Sequence, residues 1–185
     1  MIILGVDPGT LITGYGVIEV SRGEMRFLAG DAIRNASTTA MPVRLKEIYD
    51  RLQQVIKRYG PDEFAIETAF YGKNAQSALK LGHARGVAML AAVHARIPSS
   101  EYSPREVKKA IVGRGTASKA QVQYMVQSLL HLDTTPECYD TTDALAVAIC
   151  HLHRVQRPAG KQSNWKTFVT AHPDRVVQQR RSHRP

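Results

Sequence analysis

Cysteine, long apolar runs and acidic residues are all scarce in this sequence, and each shortage excludes something. Cys138 and Cys150 are its two cysteines. They are too few for a disulfide framework or a four-cysteine zinc site, so both are expected to be reduced and partly buried. No apolar run approaches the roughly 18 residues that a membrane span needs. The N-terminus also lacks a basic region followed by an apolar stretch and a cleavage site. A soluble, cytoplasmic protein is the expectation. Internal repeats are absent. At 185 residues, 43% of them hydrophobic, the chain is long enough for one well-buried core and cramped for two.

The shortage of acid leaves a net charge of +9, and its distribution says more than its total. Residues 1–67 carry −1, residues 68–130 carry +7, residues 131–154 carry −3 and residues 155–185 carry +6. A basic middle therefore lies between two acidic ends, with a separate basic tail. At a pI near 9.8 a polyanion partner, nucleic acid before others, is expected.

The opening "MIILGVD" is an apolar run ended by an acid, and "GYGVIEV" and "EMRFLAGDAI" have strand-like apolar content with tight turns between. Three strands in an antiparallel meander follow. "MPVRLKEIYDRLQQVIKRYG" sets Val43, Leu45, Ile48, Leu52, Val55 and Ile56 near helical spacing before a Gly60–Pro61 stop. "EFAIE" reads as a brief buried strand ending at Glu67, and "NAQSALKLGHARGVAMLAAVHARI" as an Ala-rich helix. "SSEYS" is a fifth strand, Pro104 opens the short helix "PREVKKAIVG", and "KAQVQYMVQSLLHL" and "DTTDALAVAICHLH" complete the helices. Strands first, then strand and helix alternating, predict an α/β fold with a mixed sheet flanked by helices. After Arg154 the periodic apolar residues thin out, and residues 155–185 read as a mostly disordered basic tail.

Asp7 and Glu67 each end a buried strand, where a charge contributes nothing to packing. Adjacent strands of one sheet would present both at one edge. Asp140 and Asp143 open the last helix, where an N-cap, a capping-box acid and the helix dipole would account for them. Convergence of all four would mean something else. Two carboxylates about 4 Å apart repel by roughly 4 kcal/mol at an effective dielectric of about 20, and a divalent cation removes that repulsion. Mg²⁺ takes oxygen ligands, usually one or two carboxylates with waters and substrate phosphates, so four acids suit one or two ions on a phosphodiester. The chemistry implied is metal-assisted phosphoryl transfer to water.

Four blocks follow one another through residues 1–153: "ILGVDPGTLITGYGVIE", "AIETAFYGKNAQSALKLGHARG", "REVKKAIVGRGTASKAQVQYMV" and "DTTDALAVAICH". Together they resemble the RuvC-type Holliday junction resolvases. The resemblance implies a ribonuclease-H-like nuclease domain over residues 1–154, with a five-stranded mixed sheet flanked by helices, and leaves the tail outside it. It implies an acidic tetrad of Asp7, Glu67, Asp140 and Asp143, binding one or two Mg²⁺ per subunit with Mn²⁺ able to substitute. Lys108 and Lys119 would lie close to the scissile phosphate, and Lys119 would act in catalysis by offsetting its charge in the transition state. Phe70, with Tyr71 beside it, would stack on an unpaired base near the crossover, an interaction worth roughly 1–3 kcal/mol. Lys73, Lys109 and Arg114 join Lys108 and Lys119 as expected DNA contacts. The family consists of homodimers that nick two symmetry-related strands of a four-way junction and work with the RuvA and RuvB branch-migration proteins.

Other signals are weaker. "DPGT" between two strands also fits the phosphate hairpin of actin-like ATPases and sugar kinases, but 185 residues leave no room for their second lobe. "GRGTASK" does not have P-loop spacing. "CHLH" on a helix scatters Cys150, His151 and His153 over different faces, so a structural role is expected. Gly82 and Gly86, with Ala78, make one helix face nearly smooth, for close packing inside the domain or across a dimer. The resemblance favours the dimer, with residues 74–97 contributing to it. Two other functions remain open, a ribonuclease-H-like nuclease acting on RNA-containing duplexes and a junction-binding or RNA-binding module that does not cut.

Overall fold

In a computed structural model of the chain, residues 1–68, 75–132 and 138–156 are described. By its internal contacts the chain divides into Met1–Arg154 and Val155–Pro185, and the account below concerns the first. Its elements are β1 (Ile2–Asp7), β2 (Ile12–Ser21), β3 (Glu24–Arg34), α1 (Met41–Tyr59), β4 (Glu63–Glu67), α2 (Ala75–His94), β5 (Ser99–Tyr102), α3 (Pro104–Val112), α4 (Lys119–Leu130) and α5 (Tyr139–Val155). The five strands form one sheet in the order β3-β2-β1-β4-β5. β1, β2 and β3 pair antiparallel, whereas β4 joins β1, and β5 joins β4, in parallel. The mixed five-stranded sheet flanked by helices is the ribonuclease-H-like architecture that the resemblance implied.

Alternation along the central strands splits the core into two layers, because successive side chains of a strand point to opposite faces. Leu4, Val6, Phe64 and Ile66 belong with the apolar residues of α1 and α2, and Ile3, Ala65 and Ile18 with those of α3, α4 and α5. Both faces of β1 and β4 are thus covered, as parallel strands require. On α1 the buried residues are Ile48, Leu52, Val55 and Ile56, and Leu45 packs against their cluster. Val43, expected on the same stripe, is 57% exposed. Two positions along a helix differ by about 200°, so Val43 faces away from Leu45.

The helix ends follow their local chemistry. α1 stops at Gly60 in the left-handed conformation, and its N–H donates to the Ile56 carbonyl. α3 and α4 each begin with a capping box, Ser103 with Glu106 and Ser118 with Gln121. These caps place Pro104 and Lys119 at the first helical positions, beside the sheet ends that carry Asp7 and Glu67. Among the described residues no helix is long and apolar enough to cross a membrane.

Candidate active site

The site is assembled from strand parity and the close docking of one helix. Val6 pairs with Ile66 across parallel β1 and β4, so Asp7 and Glu67 are the next positions on neighbouring strands and leave the sheet at one edge. They share parity with Ile3 and Ala65, which face the α3–α5 layer, and therefore turn toward α5. α5 lies almost directly on the sheet backbone. An added Cβ at Gly14 would collide with the Asp140 carbonyl, and one at Gly5 with the Ala144 carbonyl. Only glycine permits that approach. The turn after Asp7 is fixed by Thr13, whose fully buried hydroxyl donates to the Gly9 carbonyl at 2.6 Å.

A cavity of about 230 Å³ opens there, lined by Asp7, Glu67, Asp143, Lys108, Lys119, Pro104, Val107 and Val122. Burial pushes the Asp7 carboxyl up to about 8, and Glu67, Asp143 and Asp140 push in the same direction while Lys119 opposes them. Glu67 is raised to about 7, again by burial first and then by Asp143, with Lys119 and Lys108 opposing. Asp7 therefore feels all three of the other acids through space, and Glu67 feels Asp143. Lys119 Nζ donates to Asp143 Oδ2 at 2.9 Å, and that bond raises the lysine's own pKa.

Asp140 differs from its expected surroundings. It stands inside the first turn of α5, which begins at Tyr139, so it is not the helix's N-cap. It does not line the cavity; its Oδ2 accepts from Cys138 Sγ at 2.8 Å. Among the described residues, no group of three or more His, Cys, Asp or Glu side chains is arranged to hold a metal ion. Lys119 sits on Asp143 and Cys138 on Asp140, so a cation entering this site meets two acids that are already hydrogen-bonded. The donor set nevertheless suits a hard divalent cation: all carboxylate oxygens, partly buried, with Asp7 and Glu67 raised by burial first and by neighbouring acids second, a repulsion that a cation would reverse.

Lys108 lines the acid cavity, whereas Lys109 and Arg114 line a separate one. Phe70, Tyr71 and Lys73 lie outside the described residues, as do positions 157–185 of the expected tail. His151 has the structural role expected of it: its Nδ1 and the Tyr102 hydroxyl are 2.8 Å apart, and both residues are buried. Among the described residues nothing packs against Gly82 or Gly86; a Cβ at either would meet open space. Sequence reasoning missed Pro104, Val107 and Val122 as walls of the cavity, and Cys138 as the partner of Asp140. The helical spacing of Val107 with Ile111, and of Val122 with Val126, marks inward faces, but nothing local says that those faces meet the acids.

The chain's similarity to known proteins is extensive. The family model described as "Crossover junction endodeoxyribonuclease RuvC" matches residues 3–151. A protein of that name from Salinibacter ruber is 50% identical over 177 residues, covering 95% of this chain and 99% of its own length. Another, from Shewanella sediminis, is 51% identical over 169 residues, covering 90% of this chain and 96% of its own. Among solved structures, Thermus thermophilus RuvC in complex with a Holliday junction substrate superimposes with a TM-score of 0.80 at 32% identity, over 84% of this chain and 95% of that one.

Proposed function

The chain belongs to the RuvC family of crossover junction endodeoxyribonucleases, and from that membership we infer a nuclease that resolves Holliday junctions, four-way DNA intermediates of recombination and repair. Residues 1–154 are its nuclease domain. Cleavage consists of two symmetric nicks, each leaving a 5′-phosphate and a 3′-hydroxyl. The observation that carries this reading is Asp7, a buried carboxylate raised to about 8 by burial and by three neighbouring acids, in a cavity with two lysines on its wall.

Asp7, Glu67, Asp140 and Asp143 are the groups that would hold the divalent ions, one or two Mg²⁺ per subunit with Mn²⁺ able to substitute. When bound, such ions lower the pKa of an attacking water and stabilise the leaving oxygen of an in-line displacement. The chain's own part begins with loss of the protons that Asp7 and Glu67 retain near neutrality. Lys119 then exchanges its bond to Asp143 for the scissile phosphate and offsets the charge that builds there, and Lys108 does the same from the α3 wall. Water attacks phosphorus, the bond to the 3′ oxygen breaks, and that oxygen takes up a proton. Lys109, Arg114 and Lys73 contact backbone phosphates, and Phe70 with Tyr71 stacks on a base at the crossover.

A homodimer suits a two-fold substrate. It is supported by the outer face of α2, where Leu79, Leu90 and Val93 are 62%, 47% and 62% exposed beside the open Gly82 and Gly86. RuvA and RuvB are the partners that family membership implies. The +6 segment of residues 155–185 adds sequence-independent affinity, so its deletion flattens the salt dependence of DNA binding. The decisive experiment is cleavage of a synthetic four-way junction beside linear duplex and RNA/DNA hybrid, with Mg²⁺ or EDTA, by wild type and Asp7→Asn. Paired nicks confined to the junction, abolished by EDTA and by the substitution, are expected. Cutting of the hybrid alone would keep the acids and reject the substrate.

A further inference from the structure

Against α3 lies a second cavity, of about 390 Å³, and its wall is cationic: Arg105 and Lys109 project from the helix and Arg114 from the turn that follows. Successive residues of a helix diverge by about 100°. α3 thus turns Lys108 to the acid pocket and Lys109 to this one. The turn makes a tight wall. Gly113 ends α3 in the left-handed conformation, at φ 81°, with its N–H donating to the Lys109 carbonyl. Gly115 packs so closely on Arg105 that an added Cβ would lie 2.5 Å from its Cγ, which holds the stem of that arginine against the turn.

The carboxylate on this wall is already committed. Glu106 accepts from the Ser103 N–H at 2.9 Å and from the Ser103 hydroxyl at 2.8 Å, and Arg154 Nη1 lies 3.5 Å from it. Among the described residues no ion pair engages Arg105, Lys109 or Arg114. Three cations left unpaired around one hollow keep company with solution counterions, and a phosphodiester that displaces those counterions binds with the entropy of their release. A small acidic metabolite would satisfy the charge equally well, but the shared helix favours DNA: a strand crossing α3 meets Lys108 on the way to the acids and Lys109 beside them.

We propose that this cavity is a second phosphate site, which takes a backbone phosphodiester of the junction strand next to the one being cut, with Arg105 as its anchor. The proposal rests on the nuclease reading and adds a residue, Arg105, that nothing in the sequence pattern singled out. Because contacts to phosphate position without reading sequence, the site sets the register of the strand over the acids. Arg105 is a positioning residue in this scheme.

The test is junction binding by fluorescence anisotropy in EDTA, across a salt series, for wild type, Arg105→Gln, Arg114→Gln and the double variant. Arg22→Gln, in the β2–β3 turn, controls for loss of charge alone. The slope of log K against log salt is expected to shrink by about 0.9 for each phosphate that is no longer neutralised, equally on junction and linear duplex, while Arg22→Gln keeps the wild-type slope. Circular dichroism guards against misfolding of Arg105→Gln, and the exposed Arg114→Gln gives an answer independent of the Gly115 packing. Slopes unchanged in both single variants and the double would overturn the proposal. Wild-type cleavage of the same junction, run alongside, tests the nuclease reading separately: cutting with unchanged variant slopes rejects only the second site, whereas no cutting rejects the activity on which it rests.

Discussion

Asp7 is raised further from its ordinary value than Glu67 beside it, and that makes the acid cavity open to measurement. An aspartate ordinarily titrates near 3.8, and burial with three acidic neighbours pushes Asp7 up to about 8. A carboxyl raised on folding stabilises the fold while it stays protonated. That contribution is full below the unfolded value and is lost as pH rises through the folded one. Metal-free protein should therefore lose stability between about pH 4 and pH 8, and Asp7→Asn, which cannot ionise, should melt several degrees higher than wild type at pH 8, with the gap closing toward acid. Mg²⁺ should raise the melting temperature of wild type and leave the variant nearly unmoved. Thermal melts in EDTA and in Mg²⁺ check both; a variant that melts below wild type at pH 8 would contradict the repulsion assigned to the site. The strand-ending positions of Asp7 and Glu67 were legible from sequence. The bonds of Lys119 to Asp143 and of Cys138 to Asp140 were not, since each joins groups whose meeting depends on helix placement and side-chain rotamer.

At the scale of elements, the docking of α5 on β1 and β2 brings the second pair of acids to the first. That approach needs bare backbone at Gly14 and Gly5. Gly14→Ala forces the β2 backbone away from the Asp140 carbonyl, and overpacking of this kind costs typically about 1–3 kcal/mol. The substitution is expected to lower the melting temperature and to cut junction cleavage at least tenfold without removing a charged group. Melting and cleavage measured on the same preparation check it, and full activity at reduced stability would show that the acids tolerate a shift of α5. The glycines at positions 5, 14 and 16 are plain in the sequence, yet without the sheet order they read equally well as turn formers. The two capping boxes of α3 and α4 have the Ser-x-x-Glu and Ser-x-x-Gln spacings, and the helices they start bring Lys108 and Lys119 to one cavity.

At the scale of the whole molecule, charge and exposed apolar surface divide the work. Asp7 and Glu67 leave the sheet at one edge, Lys108 of α3 and Lys119 of α4 line the cavity beside them, and among the described residues the outer face of α2 exposes Leu79, Leu90 and Val93. If α2 pairs with its copy, Leu90→Lys should shift the protein from dimer to monomer in sedimentation at micromolar concentration, with little change in the melting of the monomer because Leu90 is already 47% exposed. Junction cleavage should then fall, because a monomer cannot make the paired nick. An unchanged sedimentation coefficient would place the dimer interface elsewhere. The smooth face of Gly82 and Gly86 was visible in sequence, but whether it turned inward or outward was not, because Ala84, Ala88, Ala91 and Ala92 on the opposite face are nearly as small and are the ones buried.

The sequence by itself determined the kind and order of the elements, the acids at their ends and the basic belt between them, because hydrophobic period, caps and strand-ending charges act over a few residues. The family resemblance followed from the same local blocks. Only the tertiary structure decided which of these features meet. Parallel pairing of β1 with β4 sets Asp7 beside Glu67, glycine gaps let α5 dock so that Asp143 joins them in the cavity while Asp140 stays outside its lining, and the turn of α3 separates Lys108 from Lys109 into different cavities. Those meetings join residues far apart in the chain, and they depend on sheet order and helix docking, which no short window of sequence contains.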